Sequence, residues 1–332
     1  MLSIALVGAG TMGRLHAGNF NQIAGCRVTK VYDQLEQAAR VLADDLGAEA
    51  VADPESALGD DIDLVIIACP TPAHADYCCM AAQAGKHVFC EKPLARTLEQ
   101  GERIVKAVHE AGVSMMVGHV VRFFPEYAAA TAEVQSGAIG KVGMVRTSRI
   151  NTLPGAEGSW FRDYELSGGV TLDMIVHDFD WLLWTFGKVA TVCSRSLHGQ
   201  MPNLDYSLTS IRFAAGAIAH VEGSWADVGE FRTSFEIAGS NGLIEHDSTE
   251  NATLLVQRRG SQDGLAATQV PSSPSKSPYL IEAEAFIEAI TNSTEPPVTV
   301  RDAFAALELA LAACRSAETG EIVRFGGDAD AG

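Results

Sequence analysis

Leu2-Ser3-Ile4-Ala5-Leu6-Val7-Gly8-Ala9-Gly10-Thr11-Met12-Gly13 opens the chain with an apolar run that stops on three spaced glycines. Leu2 to Val7 suits a strand buried on both faces of a parallel sheet. The glycines stand as G-x-G-x-x-G, and Arg14 to Ile23 then reads as a helix. At this spacing the first glycine permits a tight turn and the second lets a pyrophosphate approach the backbone. The third lets the helix lie close to the strand. The helix amino end then offers free N–H groups to phosphates. The motif alone is common; a strand before it and a helix after it make it informative. Gly8, Gly10, Thr11, Met12 and Gly13 are thus expected to contact a dinucleotide.

Working outward, the second strand runs from Arg27 to Tyr32 and closes on Asp33, 20 residues beyond Gly13. An acid at that point accepts from the adenosine ribose 2′-OH and repels a 2′-phosphate. Gln34 and Leu35 offer no cation to such a phosphate, so NAD is expected over NADP. A plainer reading, in which Asp33 caps a helix from Gln34 to Leu46, stands beside it. Alternation continues with a strand from Ile62 to Ala68, then Cys69-Pro70-Thr71-Pro72 and a helix from Ala73. A strand from Lys86 to Cys90, a helix from Thr97 to Ala111 and a strand from Val113 to Gly118 follow. Unbroken strand–helix alternation means an α/β fold with a doubly wound parallel sheet. Ligands of such sheets gather at strand carboxyl ends, which adds Cys69, Pro70, Thr71 and Glu91 to the expected cofactor contacts. His74, in the first turn of its helix, either lines the nicotinamide side of the site or serves as a cap or surface group.

Cys90-Glu91-Lys92-Pro93 ends the fourth of these strands. Packing alone rarely calls for lysine, which is seldom fully buried. Lys92 is therefore a catalytic candidate at a strand's ligand-binding end. The alternative is a surface salt bridge with Glu91, but neighbours on an extended chain point to opposite sides.

From His119 the pattern changes. Phe123 to Ser136 reads as a helix and Val142 to Asn151 as a strand. A loop over Pro154 to Ser159 leads to Trp160-Phe161-Arg162-Asp163-Tyr164. Gly168-Gly169 then opens a helix expected to run unbroken from Val170 to Phe186. On it Asp173, His177 and Asp180 are spaced i, i+4, i+7 and would share one face. A carboxylate one turn from a histidine orients the ring and raises its basicity, as a general base requires. D-x-x-x-H is also compatible with a metal, yet no further histidine cluster converges, so no metal is expected. Strands are expected over Val189 to Leu197, Ser207 to Phe213, Ala217 to Trp225, Phe231 to Ala238 and Gly242 to Glu245. Short turns between them imply a largely antiparallel sheet. A surface loop over Pro271 to Pro278, helices over Tyr279 to Thr291 and Arg301 to Thr319, and a polar tail from Gly326 complete the chain.

Composition bounds the function. With 332 residues, two domains are expected. The formal net charge of −18 repels phosphate backbones and anionic lipid, so neither nucleic acid nor membrane is expected as a partner. No apolar run approaches the ~20 residues of a membrane span, and the amino end shows no basic export segment. The seven cysteines include no C-x-x-C pair and read as reduced thiols, so a cytoplasmic location is expected.

Gly8-Ala9-Gly10-Thr11-Met12-Gly13, Glu91-Lys92-Pro93, and Gly168-Gly169 followed by Asp173 and His177 occur in this order over nearly the whole chain. In this the sequence resembles the Gfo/Idh/MocA family, the glucose–fructose oxidoreductase and inositol dehydrogenase group. The resemblance implies an NAD-binding Rossmann domain over 1–120. Over 121–332 it implies an α/β domain for substrate binding and oligomerisation, with a large, mostly antiparallel open sheet. Lys92 would match the catalytic lysine, Pro93 its proline, often on a cis peptide, and Asp173 and His177 the catalytic pair. Arg122, Asn151 and Asp180 match positions that contact substrate hydroxyls in inositol dehydrogenases, alongside Lys92, Asp173 and His177. Arg149 stands where such an enzyme more typically has histidine, a departure that puts myo-inositol itself in question. The implied activity is oxidation of a secondary hydroxyl on a cyclic polyol or sugar, with hydride passing to NAD. Lys92 and His177 would then reach one substrate oxygen. A homodimer or homotetramer through the second-domain sheet is expected. The rivals are a non-catalytic NAD sensor, which has no use for all three catalytic groups, and an NADP-linked reductase, which Asp33 disfavours.

Overall fold

The computed structural model describes residues 1–155, 158–199, 204–250, 254–259, 265–270 and 276–326. Most of the Pro271 to Pro278 loop, the tail beyond Gly326 and the middle of the Pro154 to Ser159 loop thus lie outside the described residues. Backbone contacts divide the chain into two compact units, Met1–Val120 with Lys276–Leu307, and Val121–Ser275 with Glu308–Gly332.

The first unit alternates β1 (Leu2–Val7), α1 (Thr11–Gln22), β2 (Cys26–Tyr32), α2 (Glu36–Leu46), β3 (Glu49–Ala50), β4 (Leu64–Ile67), α3 (His74–Gln83), β5 (His87–Cys90), α4 (Leu98–Ala111) and β6 (Met115–Val117). Its six strands are parallel in the order β3-β2-β1-β4-β5-β6. Leu64, Val65, Ile66 and Ile67 are all fully buried, as a strand covered by helices on both faces requires. The chain reverses direction across the sheet between β1 and β4, so the loops after β1, β4 and β5 crowd the switch point.

The boundary expected near residue 120 is where the chain leaves this unit, but 121–332 is not a single block. Helix Pro278–Asn292 returns to the first unit, where Tyr279 faces His16 at 6.1 Å and Phe286 faces Phe89 at 6.0 Å. An amphipathic helix states that it has an apolar face, not which layer that face covers.

The second unit begins with α5 (Pro125–Gln135) and β7 (Val142–Ile150). It continues with α6 (Tyr164–Ser167), α7 (Gly169–Asp173), α8 (Val176–Phe186), β8 (Val189–Ser196), β9 (Tyr206–Phe213), β10 (Ile218–Ser224), β11 (Arg232–Gly239) and β12 (Gly242–Asp247). The hairpin β13 (Leu254–Arg259) and β14 (Leu265–Val270) and the short β15 (Val323–Arg324) extend its sheet to nine described strands. The order is β14-β13-β12-β11-β7-β10-β9-β8-β15, antiparallel except where β7 and β10 run parallel. Burial alternates along β9, β10 and β11, so one face packs on helices and the other is open.

The helix expected from Val170 to Phe186 is in fact broken. The Met174 N–H makes the last regular bond of α7, to the Val170 carbonyl at 3.1 Å, and the Ile175 N–H reaches back five residues to the same carbonyl at 3.0 Å, out of the helical pattern. The break lies where the helix meets β10. A Cβ on Gly223 would stand 2.6 Å from Ile175 Cγ2 and 3.2 Å from Val170 Cγ2. Tertiary packing against a glycine far along the sequence overrides a helical period that reads as continuous.

Candidate active site

The loop between β1 and α1 has the shape a diphosphate needs. Gly8 adopts φ +102°, and a Cβ there would lie 2.6 Å from the backbone of Ala68 and Cys69. A Cβ on Gly13 would overlap the Gly8 carbonyl oxygen, while one on Gly10 would meet nothing within 4 Å. The first glycine is thus fixed by turn and neighbour, the third by helix–strand contact, and the second faces open space. No side chain caps α1, so its first N–H groups are left for a ligand. Asp33 closes the cradle: its carboxylate accepts the Ala9 N–H at 2.7 Å and the Leu35 N–H at 2.8 Å. It fastens the glycine turn to the end of β2 and remains half-exposed. These residues fit a dinucleotide.

Around β5 the sequence expectation is refined. Glu91, expected among the cofactor contacts, is buried, and each of its carboxylate oxygens meets a protein partner. His16 Nε2–H donates to Glu91 Oε1 at 2.6 Å, and the Lys92 N–H donates to Glu91 Oε2 at 3.0 Å. Burial alone would raise this carboxyl, but the His16 bond and the Lys92 charge outweigh it and hold its pKa below the ordinary value. His74 is 1% exposed, so it neither lines an open nicotinamide site nor sits at the surface. Its Nδ1 lies 2.9 Å from the Pro93 carbonyl oxygen and its Nε2 3.0 Å from that of Cys69. Burial pushes its pKa down despite the pull of both carbonyls, so the ring is neutral and has one N–H to share. The Lys92–Pro93 peptide is cis. From Val88 to Ala95 every residue is buried except Lys92.

Cys69 and Cys90 stand beside this loop and are free thiols. Burial pushes Cys69 up to about 12 and raises Cys90 as well, so neither is a nucleophile at neutral pH. Cys69, Pro70 and Thr71 follow β4 directly, at the switch point.

In the second unit the double glycine is a steric necessity. Gly168 and Gly169 take φ +72° and +66°; a Cβ on Gly168 would lie 2.5 Å from Leu172, and one on Gly169 2.5 Å from Asp205 Oδ2. Asp205 Oδ2 also accepts the Val170 N–H at 2.7 Å, which starts α7. Asp173 ends α7 and is buried; His177 is the second residue of α8. From Thr171 to Asp180 every residue is buried except His177.

Asp180 does not join His177 on an exposed face. It is wholly buried and takes two bonds from Arg122, Nε to Oδ2 at 2.7 Å and Nη2 to Oδ1 at 2.6 Å. His177 and Asp180 both lie on α8, and the break before Val176 sets Asp173 on a separate helix, so the three do not share one continuous face. Arg122 also lies over the Trp184 ring at 5.4 Å. Asp178, which the sequence reading passed over, holds Arg149 in the same manner, with Nε to Oδ2 at 2.6 Å and Thr147 Oγ1 on Oδ1 at 3.1 Å. Breaking a buried pair costs about 3–5 kcal/mol, so these two fix Arg122 and Arg149 firmly. The signal for them was present: two acids among Phe179, Trp181 and Leu182 on an apolar helix must be buried and so must have cationic partners. Phe231 lies over the Arg149 guanidinium at 5.8 Å, and Asn151 stands just beyond the end of β7 with its Oδ1 accepting the Thr152 N–H. Among the described residues no group of three His, Cys, Asp or Glu is placed to hold a metal, and no helix is long and apolar enough to cross a membrane.

A dinucleotide cradle at the switch point of a parallel sheet, joined in one chain to a second α/β unit that presents His177 from an otherwise buried run, defines an NAD-dependent oxidoreductase. Residues 2–119 match the model of an oxidoreductase family with an NAD-binding Rossmann fold, and residues 127–245 match the Gfo/Idh/MocA C-terminal domain. The chain belongs to the Gfo/Idh/MocA family of oxidoreductases. It is 33% identical to the scyllo-inositol 2-dehydrogenase (NAD(+)) of Bacillus subtilis, over 97% of this chain and 95% of that protein. It is 29% identical to the myo-inositol 2-dehydrogenase of Thermotoga maritima, over 98% of each. Among solved structures, levoglucosan dehydrogenase in complex with NADH and levoglucosan superimposes with a TM-score of 0.88 at 25% identity, over 98% of this chain and 99% of that one.

Proposed function

We propose that the chain oxidises a secondary hydroxyl of an uncharged cyclic polyol or sugar. One observation carries the reading: each unit exposes one titratable side chain from an otherwise buried run, Lys92 in the first and His177 in the second. Burying everything around a single group is a poor way to gain stability and a good way to aim that group. NAD, when bound, supplies the hydride acceptor. His177 takes the hydroxyl proton, and Asp173 orients its ring and stabilises the imidazolium. Lys92 donates to the reacting oxygen and stabilises the negative charge that grows there. Asn151 and Arg122 hold neighbouring hydroxyls, with Asp180 acting through Arg122. The enzyme works in the cytoplasm and self-associates through the open face of the nine-stranded sheet.

The uncharged substrate follows from the ion pairs. Apart from Lys92 and His177, which are assigned to the reacting hydroxyl, the cations of this region are Arg122 and Arg149, and Asp180 and Asp178 neutralise each. A carboxylate or phosphate elsewhere on the sugar would meet cations already paired with carboxylates, which would repay little of its desolvation. The names of the relatives, inositol and levoglucosan dehydrogenases, are consistent with neutral rings. The test is NADH formation across a panel of neutral cyclic polyols and sugars, each beside its uronate or phosphate counterpart. Neutral members are expected to lead their anionic counterparts by about tenfold or more in kcat/KM, one buried-charge mismatch being worth at least ~1.4 kcal/mol. A preference for the anionic members contradicts the reading.

A further inference from the structure

We propose that His16, acting through Glu91, and His74 form a buried frame that sets the position of Lys92, which makes all three positioning residues. The proposal rests on the role given to Lys92 above. The frame lies wholly in the first unit. His16 is fully buried on α1, far in sequence from the loop it serves. It holds one oxygen of Glu91, and the other oxygen of the same carboxylate holds the Lys92 N–H. On the far side of Lys92, His74 stands at hydrogen-bond distance from the Pro93 carbonyl and from the Cys69 carbonyl of the neighbouring loop. The chain is thus held at the Lys92 N–H and again one residue later, at the Pro93 carbonyl.

This arrangement is costly as a packing device. The Glu91 carboxylate is buried at 7% exposure beside His16, whose ring is edge-on to Phe89 at 4.9 Å. His16 Nδ1 has no hydrogen-bond partner. An apolar pair of similar volume would fill the space without a buried charge or an orphaned nitrogen. Two buried histidines and a buried carboxylate converge on the Lys92 N–H and the Pro93 carbonyl, on either side of the half-buried Lys92 side chain. Holding a catalytic group to within a fraction of an ångström is the use that repays such groups, because a 1 Å error can cost about 100-fold in rate.

The test compares His16→Leu, His16→Gln, Glu91→Gln and Lys92→Met in the full chain, reading kcat, NADH affinity by fluorescence titration, and Tm. His16→Leu is expected to lower kcat about 10–100-fold with NADH affinity within about twofold, as misplacement of Lys92 alone would do. His16→Gln keeps an N–H donor near the Nε2 position and is expected to regain most of that loss. Wild-type kcat in His16→Leu overturns the proposal. So does a parallel fall of kcat, NADH affinity and Tm, or a glutamine variant no better than leucine. Should His16→Leu not fold, Glu91→Gln decides. It keeps shape but replaces two charge-assisted bonds with neutral ones, so about a tenfold loss in kcat supports the frame and none overturns it. Lys92→Met separates the two claims. If it is impaired while the His16 and Glu91 variants are not, the frame alone fails; if it retains wild-type kcat, the role of Lys92 fails first.

Discussion

Replacing His177 with alanine is expected to lower kcat by about 10²–10⁴-fold, the range for loss of a general base, while NADH affinity stays unchanged. The size of the effect follows from the surroundings. His177 is the one partly exposed residue between Thr171 and Asp180, and the proton transfer is assigned to its ring. The effect on folding is expected to be small. A half-exposed side chain on the first turn of α8 contributes little to the core, and Asp178 and Asp180 anchor that turn through Arg149 and Arg122. Steady-state kinetics and NADH titration of the variant check both halves. A turnover within a few-fold of wild type removes His177 from the mechanism.

Lys92→Met is the second large effect. Methionine keeps most of the stem and removes the charge, so the change isolates the ammonium. Losing one donor aimed at a developing oxyanion costs about 10²–10³-fold in kcat. KM is expected to move much less, because the interaction strengthens as charge grows on the reacting oxygen. Measuring kcat and KM separately distinguishes this from a lysine that merely holds substrate, which would raise KM at constant kcat. The backbone grip of Glu91 on the Lys92 N–H survives the substitution, so loop geometry is held constant in the comparison.

How far the chain could be read before its structure depends on the range of the interaction concerned. The Gly8–Gly13 turn, β1 and the place of Asp33 are local: strand, glycine spacing and helix lie within one short stretch, and the structure realises them nearly residue for residue. The long alternation of the first unit follows from period alone. The features that escaped are those set by distant partners. The helix that carries His177 breaks because Ile175 and Val170 press on Gly223 of β10. Asp180 is expected at a substrate hydroxyl only through the family resemblance; that its carboxylate is held by Arg122, 58 residues earlier, is set by the fold. Asp178 and Arg149 were invisible as a pair for the same reason. His74 read as a cap or a cleft residue, and only the fold reveals that two carbonyls from two loops enclose it. His16 carried no signal at all, since a histidine on the first helix of such a sheet reads as ordinary. Segment Lys276–Leu307 joined the first unit through Phe286 and Tyr279, whose partners Phe89 and His16 lie at the other end of the chain.

The central claim is a direct transfer of hydrogen from a carbinol carbon to NAD with the proton handled by His177. It is tested most directly with the best neutral polyol or sugar from the panel, deuterated at the carbon that bears the reacting hydroxyl. The account predicts that the deuterium is recovered on the nicotinamide ring of the reduced cofactor and that its presence slows turnover in the single-turnover phase. Tight NAD binding with no reduced cofactor from any neutral polyol or sugar, or reduced cofactor free of deuterium, would contradict it.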